Sequence, residues 1–117
     1  MNEILPTEVQ HDFQVAFTIV AARVNTTARE KGFWKDERSH GEVIALIHSE
    51  LSEALEALRE KSTSTKIPGF LGIEEELADV IIRIMDYAIQ SDYNLPAAIL
   101  AKMKFNQNRS YKHGKEF

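Results

Sequence analysis

Residues 39–61 read SHGEVIALIHSELSEALEALREK, and this stretch decides the fold. Ser39-x-x-Glu42 is a capping-box pattern set just ahead of an apolar run, which is how an α-helix announces its start. Ile44, Ile47, Leu51, Leu55 and Leu58 then recur at helical spacing and predict the core stripe of a helix running to Lys61. Further along, residues 73–90, IEEELADVIIRIMDYAIQ, predict a second helix of the same kind.

Outward from this pair the chain stays helical. Residues 7–31 carry Phe13, Phe17, Val20 and Val24 at helical spacing and stop at Gly32, a natural C-terminal cap. Residues 62–72 hold Ser, Thr, Pro and Gly and predict a loop. A last helix opens near Asn94, with Pro96 tolerated in its first turn, and runs to about Asn108. Strand signals are weak throughout, so the expectation is an all-α four-helix bundle in a single domain over residues 1–117, with 109–117 a basic C-terminal tail.

Composition narrows the function. Apolar residues make up 44% and charged residues 27% of 117 residues, which excludes a disordered tail and a membrane protein. Fourteen Lys and Arg against 18 Asp and Glu give a net charge of −4, so neither nucleic acid nor an anionic membrane is expected as a partner. The absence of cysteine removes disulfides, thiolate nucleophiles and Cys-based zinc sites. No basic segment followed by an apolar core opens the chain, and a cytoplasmic location is expected.

The acids are where chemistry is expected. Glu50 and Glu53 lie three residues apart on the first of these two helices, Glu76 and Asp79 on the second. Each pair borders an apolar stripe, so side-by-side packing makes the pairs converge. Four carboxylates form a site for a hard divalent cation, Mg²⁺ or Mn²⁺, in preference to zinc. Charge is also segregated. Residues 42–79 hold nine acids against three bases, while residues 102–115 hold Lys102, Lys104, Arg109, Lys112 and Lys115 with no acid. An acidic centre and a basic end suit a metal–polyphosphate substrate.

Other residues have open readings. Trp34 is either a stacking surface for a base or a lid over the core. His40 is a substrate contact or a surface residue at a helix start. Arg83 lies near Glu76 on the helical wheel and orients the acids or meets a phosphate. Asp86 is placed to pair with Arg83. The apolar band of the 73–90 helix, including Leu77, Val80, Ile81, Ile82, Ile84, Met85 and Ala88, covers half the circumference or more and predicts self-association through that helix.

Together these motifs resemble the all-α nucleoside triphosphate pyrophosphohydrolases, the MazG-like and dimeric dUTPase group. The resemblance covers residues 30–117 and is carried by Gly32-Phe33-Trp34, by Glu50/Glu53 and Glu76/Asp79 with 22 residues between the pairs, and by the closing segment from Lys102 to Lys115. Ser49 stands where longer members often carry an acid. The resemblance implies hydrolysis of a (deoxy)nucleoside triphosphate to monophosphate and pyrophosphate, in nucleotide-pool housecleaning. It implies Mg²⁺ on Glu50, Glu53, Glu76 and Asp79, phosphate contacts from Lys102 and Asn106, and a homodimer or homotetramer. Glu53 or Glu50 is the expected general base. Arg109, Lys112 and Lys115 are expected to close over the phosphates. Two alternatives stand beside this: the same fold acting on another substrate such as phosphoribosyl-ATP, and a non-catalytic helical protein that binds a nucleotide or a partner.

Overall fold

A computed structural model describes residues 3–111, 115 and 116. Four helices follow one another: α1 (Thr7–Glu30), α2 (His40–Glu60), α3 (Gly72–Gln90) and α4 (Leu95–Gln107). Each boundary lies within a residue or so of the one read from sequence, because local chemistry sets it. Gly32 takes φ 85° after α1, a conformation that costs glycine little. Ser39 Oγ accepts the Glu42 amide at 3.1 Å and caps α2. The Glu42 side chain does not complete a capping box; it approaches Arg38 at 4.0 Å instead. Asn94 Oδ1 accepts the Ala97 amide and opens α4.

α3 is the central element. It packs on α2 along one side and on α1 along another, while α4 lies against α1. The result is an all-α helical bundle built around α3. Among the described residues the only extended pairing is a single antiparallel bridge between Thr63 and Leu71 in the α2–α3 loop. The core centres on Val43, Ile47 and Val80, with Trp34, Ile84 and Tyr87 packed against them. Burial of side chains of this size stabilises by about 1.5–3 kcal/mol each.

The stripe that α2 buries differs from the one its sequence advertises. Val43, Ile47, Glu50 and Ala54 face α3, and of the expected stripe only Ile47 is among them. Ile44, Leu51, Leu55 and Leu58 lie about a quarter turn away and are exposed. On α1, Val20 is exposed as well, while Phe13, Phe17 and Val24 are half-buried. The radius of gyration is 16.8 Å, against about 13–14 Å for a compact domain of this length. Among the described residues no helix is long and apolar enough to cross a membrane.

Candidate metal centre

Residues 50–83 form a helical hairpin, and its turn is tied at the base. The Gly72 amide donates to the Ser62 carbonyl at 2.9 Å, and Ser64 N donates to Phe70 O at 2.9 Å. A Cβ on Gly72 would stand 2.5 Å from Ser62 Oγ and 3.1 Å from Ser62 O, so the approach of loop to helix uses the missing side chain. Ser64 Oγ also donates to Glu75 on α3. The hairpin holds α2 and α3 antiparallel with both acidic pairs on the same side.

There Glu50, Glu76 and Asp79 come together. Each offers one carboxylate oxygen, and these oxygens all lie within 4.8 Å of one another. Ligands on a Mg²⁺ octahedron with bonds of about 2.1 Å sit roughly 3–4 Å apart, so small side-chain adjustments close the set. Glu76 Oε2 is buried and has no hydrogen-bond partner. An unpaired buried carboxylate oxygen is costly, and a cation is the natural partner for it. All three donors are hard oxygens, which suits Mg²⁺, Mn²⁺ or Ca²⁺ better than a soft metal. The triad could therefore hold a metal ion. Glu53, the fourth acid of the motif, is exposed and stands beside Glu50 outside the triad.

The electrostatics follow from crowding. Burial, then the charges of Glu53, Asp79, Glu75 and Glu50, push the Glu76 carboxyl up to about 7. Burial and the neighbouring Glu50 and Glu75 raise Asp79, against the pull of Lys66 and Arg83. Glu53 is raised by its hydrogen bond to Glu50 and by that residue's charge. Burial also pushes Glu50 up, but hydrogen bonds from Arg83 and from the Glu53 and Glu76 carboxyls outweigh it and hold Glu50 below the usual range. Arg83 Nε donates to Glu50 Oε1 at 2.8 Å, so Arg83 orients this ligand.

Stability of the metal-free protein should consequently fall as pH rises from about 4.5 to about 7. In that window the folded protein keeps a proton on Glu76 that the unfolded chain releases. Glu53 and Asp79 act in the same direction and Glu50 opposes them. In chelator, the melting temperature should be higher near pH 5 than near pH 8, with Mg²⁺ restoring more at the higher pH because metal and proton compete. A Glu76→Gln chain should flatten both trends; an unchanged pH profile in that variant contradicts the assignment.

Beside the triad, between α1 and the hairpin, opens a cleft of about 320 Å³. Val24, Ala28, Phe33 and Ile82 give it apolar walls, and Glu50, Asp79, Asp86, Arg83 and Arg38 line its polar side, three acids against two bases.

Other residues singled out in the sequence lie elsewhere. Trp34 packs on the Val43–Ile47–Val80 core, and its indole N–H donates to both carboxylate oxygens of Asp86 at 3.0 and 2.9 Å. Here it is a lid over the core, and Phe33 is the aromatic ring in the cleft. Asp86 serves Trp34 and Asn25, with Asn25 Nδ2 at 2.8 Å, and does not pair with Arg83 as its spacing suggests. His40 Nδ1 lies 2.7 Å from the Tyr87 hydroxyl, in a separate concavity that Trp34 also lines.

Among the described residues, those of the basic end do not line the cleft beside the carboxylates. Lys102 and Arg109 sit over the Phe105 ring, at 4.4 and 5.5 Å from its centroid. Asn106 is exposed on α4, and Lys115 is exposed. None of these four lines the cleft. The reason is the packing of α4 on α1, through a turn in which Asp92 takes φ 57°. Lys112 lies outside the described residues. Lys66, in the α2–α3 loop, is the cation that sequence reading missed: its charge acts on both Glu53 and Asp79. The signal available was only its position in the loop joining the two acidic helices. Comparison with protein-family models, with curated proteins and with solved structures finds no match to this chain.

Proposed function

We propose that the protein is a Mg²⁺- or Mn²⁺-dependent nucleoside triphosphate pyrophosphohydrolase that cleaves between the α- and β-phosphates and releases monophosphate and pyrophosphate. The observation that carries the reading is the convergence of Glu50, Glu76 and Asp79, with one buried oxygen unpartnered, at the mouth of an apolar cleft. The motif resemblance supports the same reaction.

Glu50, Glu76 and Asp79 hold the metal. A bound dication supplies neutralisation of phosphate oxygens and a lowered pKa for a coordinated water. Glu53 takes the proton: it is exposed, stands next to the triad, and its carboxyl is raised by Glu50, which moves it toward the range useful to a general base. Arg83 fixes the orientation of Glu50. Lys66 meets the phosphate oxygens that the acids would otherwise repel. The cleft walls of Val24, Ala28 and Phe33 receive the base and sugar. Lys102 and Asn106 remain proposed phosphate contacts on the strength of the resemblance alone.

A panel of ribo- and deoxynucleoside triphosphates with Mg²⁺, scored separately for pyrophosphate and orthophosphate, tests the reading. Pyrophosphate should appear with Mg²⁺ and vanish with excess chelator. Failure of every nucleotide to yield pyrophosphate, or undiminished turnover in chelator, overturns it. Lys66→Ala should lower kcat/KM about tenfold while leaving Mg²⁺ affinity little changed, since a charge-assisted contact to phosphate is lost and no metal ligand is. Unaltered kcat/KM in that variant removes Lys66 from the site.

A further inference from the structure

Asp86 stands in the cleft but is not one of the three converging acids. It lies seven residues beyond Asp79 on α3, about 10 Å further along the helix and only about 20° round it. Asp79, Ile82, Arg83 and Asp86 all line the cleft. α3 thus forms one wall, with metal-binding acids at one end and Asp86 at the other. A nucleotide whose phosphates meet the metal brings its base to the Asp86 end, because ribose and base together span a comparable length. The base is the uncharged part of such a ligand, so an acid is tolerable there.

What Asp86 has to offer is set by its hydrogen bonds. An ionised carboxylate has no donor and about four lone-pair positions, two on each oxygen. Oδ1 accepts from Asn25 Nδ2 at 2.8 Å and from Trp34 Nε1 at 3.0 Å. Oδ2 accepts only the other branch of the Trp34 N–H, at 2.9 Å, among the described residues. Arg83 and Arg38 also line the cleft, but their ion pairs are with Glu50 and Glu42. One acceptor position therefore remains on Oδ2, on a group that Trp34 and Asn25 hold in place.

Taking the cleft as a nucleotide site, we infer that Asp86 is a specificity residue, whose Oδ2 selects a base with an exocyclic amino group over uracil, thymine or hypoxanthine; this rests on the function proposed above. An amino group projects beyond the ring and can donate to a carboxylate. The ring N–H of uracil, thymine and hypoxanthine is flanked by at least one carbonyl oxygen, which a carboxylate repels. Hydrogen bonds to an ionised acceptor are the stronger kind, and a polar site rejects a ligand that leaves it unpaired.

Calorimetric binding of nucleoside monophosphates in Mg²⁺ tests this without turnover. The best-bound of CMP, AMP and GMP should bind about tenfold or more tighter than its counterpart without the amino group, UMP or IMP. The same ratio should appear in kcat/KM of the triphosphates. In Asp86→Asn the amide oxygen keeps the Oδ1 position, where Asn25 and Trp34 both donate, and the NH2 takes the place of Oδ2. A donor then faces the base, and the preference should vanish or turn toward a carbonyl-bearing base. A merely structural role would weaken all bases alike and leave the ratio unchanged. Trp34 emission shows whether the variant is folded; if it is not, the wild-type ratios decide. Binding of no monophosphate, equal binding of the paired bases, a preference for UMP or IMP, or a ratio that survives Asp86→Asn in the folded protein overturns the inference. An amino preference in binding with no pyrophosphate from any triphosphate sinks the proposed reaction and leaves the role of Asp86 standing. Pyrophosphate release without the preference does the reverse.

Discussion

Glu76→Gln should abolish pyrophosphate release and, at the same time, make the metal-free protein harder to unfold near neutral pH. The two effects have one origin. Glu76 carries a buried oxygen with no hydrogen-bond partner, in a site already crowded by Glu50, Glu53 and Asp79. Without metal, ionising it is unfavourable, and this is why its carboxyl is pushed up to about 7. Glutamine has nearly the same shape and no charge to bury. With metal, the same carboxylate is a ligand, and an amide oxygen is a weaker one. Activity should fall about a hundredfold or more, while Mg²⁺ should lose most of its power to raise the melting temperature. Asp79→Asn should behave similarly. Wild-type turnover in the Glu76→Gln protein contradicts the metal site, and a melting temperature below wild type in chelator contradicts the electrostatic account.

Asp86→Ala should cost about 2–3 kcal/mol, because it strands donors that are half-buried or buried. The Trp34 indole N–H loses both its acceptors, and the buried Asn25 amide keeps only Gln90, at 3.1 Å. For a chain of this size the melting temperature should drop by about 10 °C. Trp34 is the only tryptophan, so its emission reports directly: it should shift to the red as the ring loosens from Val43, Ile47 and Val80. Asp86→Asn retains an acceptor oxygen and should cost less. Unshifted emission with an unchanged melting temperature means that these hydrogen bonds do not hold the α1–α2 connection to α3.

The helices were legible because their ends are local chemistry. Ser39, Asn94 and Gly32 act on residues three or four away, and a single sequence displays that directly. The buried face of α2 was not legible for a physical reason. Its stripe of Val43, Ile47, Glu50 and Ala54 is less apolar than the stripe of Ile44, Leu51, Leu55 and Leu58 beside it. Periodicity ranks stripes by hydrophobicity and carries no mark of which is covered by the same chain. The acidic pairs were legible as a cluster because helical spacing and stripe position fix where a carboxylate points once two helices pack. Glu53, the fourth acid of the expected set, lies on the exposed edge beside the other three, a distinction of a few tens of degrees around α2. Contacts between distant segments left no trace: Trp34 with Asp86 and His40 with Tyr87. So too with the basic end, whose charge invites a place over the acids while the turn at Asp92 sends α4 to α1.

The α2–α3 connection has a consequence for how such a protein can diversify. Ser62 and Gly72 bind one another, and Ser64 binds Phe70, so the stem is closed before the tip begins. Within the tip Ile67 N donates to Ser64 Oγ and Phe70 N donates to Ile67 O, so substitutions at 65, 66 and 68 should disturb the spacing of the carboxylates less than changes in the stem. Lys66 rides on that tip. The carboxylates are thus carried by the two helices, and the cation proposed to meet phosphate by the loop tip between them. Exchanging the tip should therefore alter the cation near the acids while leaving the helical framework alone.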